Sequence, residues 1–178
     1  MNLKKISKRK LIIIGIIVFL LAIIFVRGVM VFFLNRRFNK DMTANRDADY
    51  SRVYEFYEDE YYYFYRPANL FNMDCFARIC TTESMKIYMS SSGEQTTNGM
   101  SITLFIWPEW NGEYTMGVIM EQNDSENSVY ENFYIDEDIN YIVSGSGVVE
   151  DEQKQLLEQY NEDVSELVER AVTKWRLE

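Results

Sequence analysis

The chain has 178 residues, 27 of them aromatic, with 18 Lys+Arg against 28 Asp+Glu, two cysteines and no histidine. The missing histidine excludes Ser-His-Asp and Cys-His catalysis and any His-ligated metal, and two cysteines cannot build a Cys₄ zinc site. Residues 1–40 hold nine basic side chains and no acidic one, whereas residues 41–178 carry a net charge of −19, which excludes a nucleic-acid-binding domain and sets a basic segment apart from an acidic one.

Residues 1–10 read as a basic cytoplasmic tail. Residues 11–26 are sixteen apolar residues in a row, and after Arg27 the apolar run resumes from Gly28 to Leu34. Sixteen residues at ~1.5 Å each reach only ~24 Å, short of a hydrocarbon core of ~30 Å, but the run to Leu34 gives ~36 Å. Residues 11–34, from Leu11 through Ile17 and Phe25 to Leu34, are therefore expected to form a transmembrane anchor, with the Arg27 guanidinium snorkelling to the headgroups. No small-residue cleavage pattern follows the run, so the anchor is expected to stay uncleaved. Five basic residues precede it (Lys4, Lys5, Lys8, Arg9, Lys10) and four follow or interrupt it (Arg27, Arg36, Arg37, Lys40). That balance favours a single-pass protein of the cell membrane with its carboxy-terminal domain outside.

Residues 35–48 read as a juxtamembrane linker and residues 49–178 as one extracytoplasmic domain. Tyr50, Val53, Tyr54, Tyr57 and Tyr61 recur at three- and four-residue intervals, which predicts an amphipathic helix; the aromatic run Glu60–Tyr65, closed by Pro67, predicts a strand after it. Short β runs follow over Met85–Ser91, Met100–Trp107, Tyr114–Glu121, Val129–Ile135 and Asn140–Ser144, separated by loops at 92–99, 123–127 and 136–138. Asn111-Gly112 is the strongest hairpin signal. Glu150 to Leu177 carries an apolar stripe from Leu156 to Trp175 at helical spacing, with acidic residues first and basic residues last, and predicts one long helix. The expected fold class is α+β: a transmembrane helix, then an antiparallel β-meander packed against an amino-terminal helix and a long carboxy-terminal helix.

With helices on one side, the sheet's second face is solvated or kept for a partner. A plain two-residue turn at Asn111-Gly112 would place Phe105 with Val118 and Leu104 with Ile119, while Pro108 invites a bulge that would change this register. The less apolar set, Tyr88, Thr103, Phe105, Trp107, Tyr130, Asn132 and Tyr134, is the candidate partner-binding face. No residue is assigned a catalytic role. The glycines near Ser144 do not form a nucleophile elbow, nucleotide-binding glycine loops are absent, and no acidic run has calcium-loop spacing, so no cofactor or metal is expected. Cys75 and Cys80 are five apart; a local turn would let them form a disulfide, and otherwise both are buried free thiols.

The basic amino terminus, the uncleaved anchor, the Tyr-rich stretch Tyr50–Tyr65, the meander and the acidic terminal helix ending in Lys174-Trp175 together resemble the TipC family of immunity proteins. The resemblance implies a non-enzymatic protein on the outer face of a Gram-positive membrane. Its partner would be a cognate LXG toxin delivered by type VII secretion, occluded through a concave sheet face. The acidic domain would be steered towards a basic partner and would repel anionic lipid. An accessory or structural subunit of a cell-envelope complex (minor-pilin-like, conjugation or division machinery) is the competing reading; the lack of an acidic residue in 11–34 counts against a pilin.

Overall fold

A computed structural model describes residues 8–36, 38, 42–46, 52–89, 100–123, 128–144 and 150–177. The expectations for Lys4, Lys5, Arg37, Lys40 and Tyr50, and for the loops at 92–99, 124–127 and 145–147, lie outside these residues. The fold is α+β: an apolar amino-terminal helix, an eight-stranded antiparallel meander and carboxy-terminal helices.

Helix α1 (Lys8–Asn35) contains a stretch, Lys10–Asn35, long and apolar enough to cross a membrane by length and composition. Leu11, Ile17 and Phe25 are exposed along it, and Arg27 is half-buried. Leu34 differs from the other expected anchor residues. It is 6% exposed and packs with Ala68 and Cys75, so the last turn of the helix belongs to the domain's packing.

The stretch expected to be a linker is similarly absorbed. Asn35 accepts from the Ala68 backbone N–H at 2.9 Å and the Tyr65 hydroxyl, and its amide donates to the Ala68 carbonyl at 2.9 Å. Phe38 is 1% exposed, stacked on Tyr65 at 5.0 Å and against Trp175 at 5.4 Å. Strand β1 (Thr43–Arg46) then starts the sheet. One buried ring and three polar bonds to one amide join helix and domain firmly.

The sheet runs in chain order through β2 (Arg52–Glu58), β3 (Tyr61–Arg66), β4 (Phe76–Thr81), β5 (Ser101–Pro108), β6 (Tyr114–Asn123), β7 (Ser128–Ile135) and β8 (Tyr141–Ser144). The amphipathic helix expected from Asp49 onward is corrected: residues 52–58 form β2, paired Tyr54↔Tyr65 to Glu58↔Tyr61 with β3. The same residues fit a period of two, with Val53, Glu55 and Tyr57 on one face and Tyr54 and Phe56 on the other. Because both faces carry rings, the apolar-polar alternation that marks a half-buried strand is hidden, and aromatic content decides the outcome.

The strand expected at Met85–Ser91 is likewise corrected: helix α2 (Thr82–Met89) occupies it. Thr81 Oγ1 accepts from the Ser84 backbone N–H at 3.1 Å, an N-terminal cap that starts a helix directly from the end of β4. The single terminal helix is in fact two, α3 (Glu150–Gln159) and α4 (Asn161–Trp175), broken at Tyr160 with φ −109° and ψ 23°. The break re-aims the apolar stripe so that Leu157 and Val164 both reach the same core.

That core lies between one face of the sheet and α3–α4. It is built from Tyr63, Tyr65, Ile79, Leu104, Ile106, Val118, Met120 and Phe133 beneath Leu157, Val164, Leu167, Ala171 and Trp175. Gln153, fully buried on α3, donates to Glu131 at 2.7 Å and accepts from the Tyr141 hydroxyl at 3.1 Å, so α3 is tied to β7 and β8 through satisfied polar groups.

Candidate functional site

Register decides what the second face presents. Asn111-Gly112 does not make a plain two-residue turn. Glu109 to Glu113 form a five-residue loop, with Gly112 at φ 95° and the Glu109 N–H donating to the Glu113 carbonyl at 2.8 Å. Phe105 therefore pairs with Gly117 and Leu104 with Val118, one residue off the two-residue expectation. Thr103, Phe105 and Trp107 lie on the same face as Tyr130, Asn132 and Tyr134, through the pairs Thr103↔Ile119↔Asn132, Phe105↔Gly117↔Tyr134 and Glu121↔Tyr130. Six of the seven expected residues thus share the face away from α3 and α4. Tyr88 does not belong with them: it falls in α2 and not in the sheet.

The face carries a ladder of seven rings. Centroid separations are 4.9 Å for Tyr57–Tyr62, 6.4 Å for Tyr62–Phe64 and 5.7 Å each for Phe64–Phe76, Phe76–Phe105 and Phe105–Trp107, then 5.6 Å for Trp107–Tyr134. It crosses β2, β3, β4, β5 and β7, and each contact lies in the range where offset or edge-on ring pairs attract. The Arg78 guanidinium sits 4.5 Å from the Phe64 centroid, adding a cation–π contact.

Gly117 explains how an indole fits. A Cβ there would meet Trp107 Cζ3 at 2.8 Å, so the ring lies down on the glycine. A glycine inside a strand commonly marks such a close approach.

The two ends of the ladder differ. Over β2–β4, α2 covers the rings: Met85 packs with Val53, Tyr62, Phe64 and Cys80, and the Tyr57 hydroxyl donates to its sulfur at 3.6 Å. Burial pushes the Tyr62 hydroxyl well up, helped by its 2.6 Å bond to Glu55. Helix α2 also meets β5, where the Ile102 N–H donates to Ser84 Oγ at 3.3 Å; over β6–β8 none of the described elements lies on the face. Phe105, Trp107, Asn132 and Tyr134 are half-buried, and Tyr130 and Val143 are exposed.

Ionisable groups on this face are few and balanced, Glu55 and Glu121 against Arg66 and Arg78. The acidity sits instead on exposed positions of α3 and α4, Glu150, Asp151, Glu152, Glu158, Glu162, Asp163, Glu166 and Glu169. An aromatic centre with sparse charge is the composition of a protein–protein interface core.

The covered half of the ladder, Tyr57, Tyr62, Phe64 and Phe76 with Arg78, is hidden in the sequence because residues 52–58 also fit a helical period; the alternation Tyr62-Phe64-Arg66 is its one signal. Cys75 and Cys80 are free thiols in two separate clusters. The disulfide considered above is not formed: extended chain separates them by roughly 16 Å, far beyond bridging distance. Burial pushes each thiol up to about 11, which keeps both protonated and unreactive at neutral pH. Among the described residues no group of three or more His, Cys, Asp or Glu is placed to hold a metal. No family model, curated protein or solved structure matches this chain.

Proposed function

We propose that the chain is a membrane-anchored immunity protein that binds and occludes a secreted antibacterial toxin acting at the outer face of the membrane. The observation that carries this reading is the uncovered half of the ring ladder, from Phe105 through Trp107 to Tyr134, on a sheet whose other face is filled by helices. Rings already packed against one another lose little side-chain freedom when a partner seats on them, which favours tight binding. Tyr and Trp are also the residues most enriched where truncation weakens interfaces. The resemblance to the TipC family supplies the class of partner, and α1 supplies an anchor that holds the domain at the membrane surface, where effective concentration is high. In this reading the acidic outer faces of α3 and α4 act at long range on a basic toxin, while the balanced sheet face makes the contact.

The test is protection. Cells carrying the chain are exposed to the product of a neighbouring toxin gene sent outside the cytoplasm. Survival only with the chain present, and loss of survival with Phe105→Arg, supports the reading; equal killing with and without the chain ends it. A second reading, an accessory or structural subunit of a cell-envelope complex, is favoured by the firm joint at Asn35 and Phe38, which suits a part in a fixed assembly. Retrieval of a stable envelope complex from cells lacking any such toxin would favour it.

A further inference from the structure

Where α1 meets the domain, two loops descend beside the helix. Leu70 Cδ2 lies 4.0 Å from where a Cβ on Gly28 would stand, and the neighbouring Phe71 is 95% exposed. On another side the β5–β6 hairpin brings Trp110, 66% exposed, to a groove whose floor includes Phe25, Val29, Met30 and Phe33. Gly28 precedes the joint at Asn35 by seven residues, roughly 10 Å along the axis, and Phe25 by ten residues, roughly 15 Å.

We infer that this groove, about 1040 Å³, is a phospholipid site: a lipid of the leaflet facing the domain lays an acyl chain on the helix floor and sets its phosphate between Arg36 and Arg176. Trp110 and Phe71 enter the interfacial layer on either side. This rests on the reading of α1 as a membrane anchor.

Three observations converge. Residues 11–26 reach only ~24 Å of a ~30 Å hydrocarbon core, so the turn after Arg27 is needed to complete the span, and whatever flanks it shares the lipid layer. The exposed indole of Trp110 at a hairpin tip beside a span matches the Trp and Tyr that settle at membrane–water interfaces, and the exposed Phe71 ring adds apolar surface at the same level. The groove pairs an apolar floor with a cationic rim, Arg36, Lys174 and Arg176, in a domain otherwise strongly acidic. The indole N–H of Trp175, which lines the groove, has no hydrogen-bond partner among the described residues. The hairpin's own carboxylates bond to their neighbours and keep their charge, Glu113 accepting from Asn111 at 2.8 Å and Glu109 from Thr115 at 3.3 Å. In this inference the cationic rim of Arg36, Lys174 and Arg176 outweighs them at the base, while the helix faces still repel anionic lipid.

The full chain is reconstituted in phosphatidylcholine–phosphatidylglycerol vesicles carrying bromine at positions 6 and 7 of one acyl chain. Flotation after alkaline carbonate reads anchoring, and tryptophan quenching reads the groove. We expect flotation with quenching, Trp110→Phe removing roughly half of the quenched emission because Trp110 and Trp175 are the two indoles lining the groove. Phe71→Ser, at a side chain too exposed to affect folding, should shift the remaining emission to the red. Native mass spectrometry should find one co-purified phospholipid, its occupancy reduced about tenfold in Arg36→Gln/Arg176→Gln. A chain that floats with no quenching, or whose groove residues cross-link to a second copy instead of lipid, overturns this inference and leaves the anchor standing. A chain that does not float overturns both.

Discussion

The two faces of the sheet are made from the same kinds of residue and end differently. On the helix-covered face, Tyr63, Tyr65, Leu104, Val118 and Phe133 interlock with side chains from α3 and α4 and are excluded from water. On the other, Phe105, Trp107 and Tyr134 lie against each other along the sheet, Trp107 flat over Gly117, and remain half-exposed beyond α2. The difference lies in what faces them. One set depends on neighbours from another layer for its packing; the other packs within its own layer and keeps a surface to offer.

Mutation should separate the faces by size of effect. Trp175→Ala, which opens a hole against Phe38 and Tyr63, should cost about 3–5 kcal/mol in denaturant unfolding of the detergent-solubilised chain. Glu131→Ala, leaving Gln153 without its closest acceptor, should cost about 1–3 kcal/mol by the same measurement. Gly117→Val should cost about 1–3 kcal/mol by forcing Trp107 off the sheet, and it should change the near-ultraviolet circular dichroism of that indole. Phe105→Arg and Asn132→Lys should cost less than about 1 kcal/mol while abolishing protection by the proposed contact. Open-face substitutions as destabilising as Trp175→Ala would erase the distinction.

Alkali sharpens it in another way. Burial raises both thiols from an ordinary value of 9.0 to about 11 and also raises Tyr62, Tyr63 and Tyr65. The unfolded chain releases these protons at lower pH than the folded one, so their contribution is complete below about pH 9 and declines as pH rises towards 11 and beyond. Titration of tyrosinate absorbance should show the exposed tyrosines ionising first and the buried ones together with unfolding. Simultaneous ionisation of all thirteen near pH 10 would contradict the burial described.

Much of the fold was legible. The uninterrupted apolar run of 11–26, the turn-bounded strands after Met100 and the helical stripe leading to Trp175 are strong signals, and the structure keeps them. The failures have physical causes. Residues 52–58 carry rings on both faces, so no apolar-polar period distinguishes strand from helix. The Thr81 cap outweighs the apparent alternation after Met85, and the bend at Tyr160 has no proline or glycine to announce it. Of the candidate face, the half on β5 and β7 was readable from alternation, while the half under α2 needed β2 and β4 to be seen as strands first.

The clamp of Asn35 on Ala68 and Tyr65 has a mechanical consequence. Were α1 to span a bilayer as proposed, the domain would not swing as on a string; it would stand like a head on a stiff neck, its aromatic side held at one height and one tilt above the lipid. Swapping the neck for a pliable lipid-tagged tether would leave attachment intact yet blur that aim.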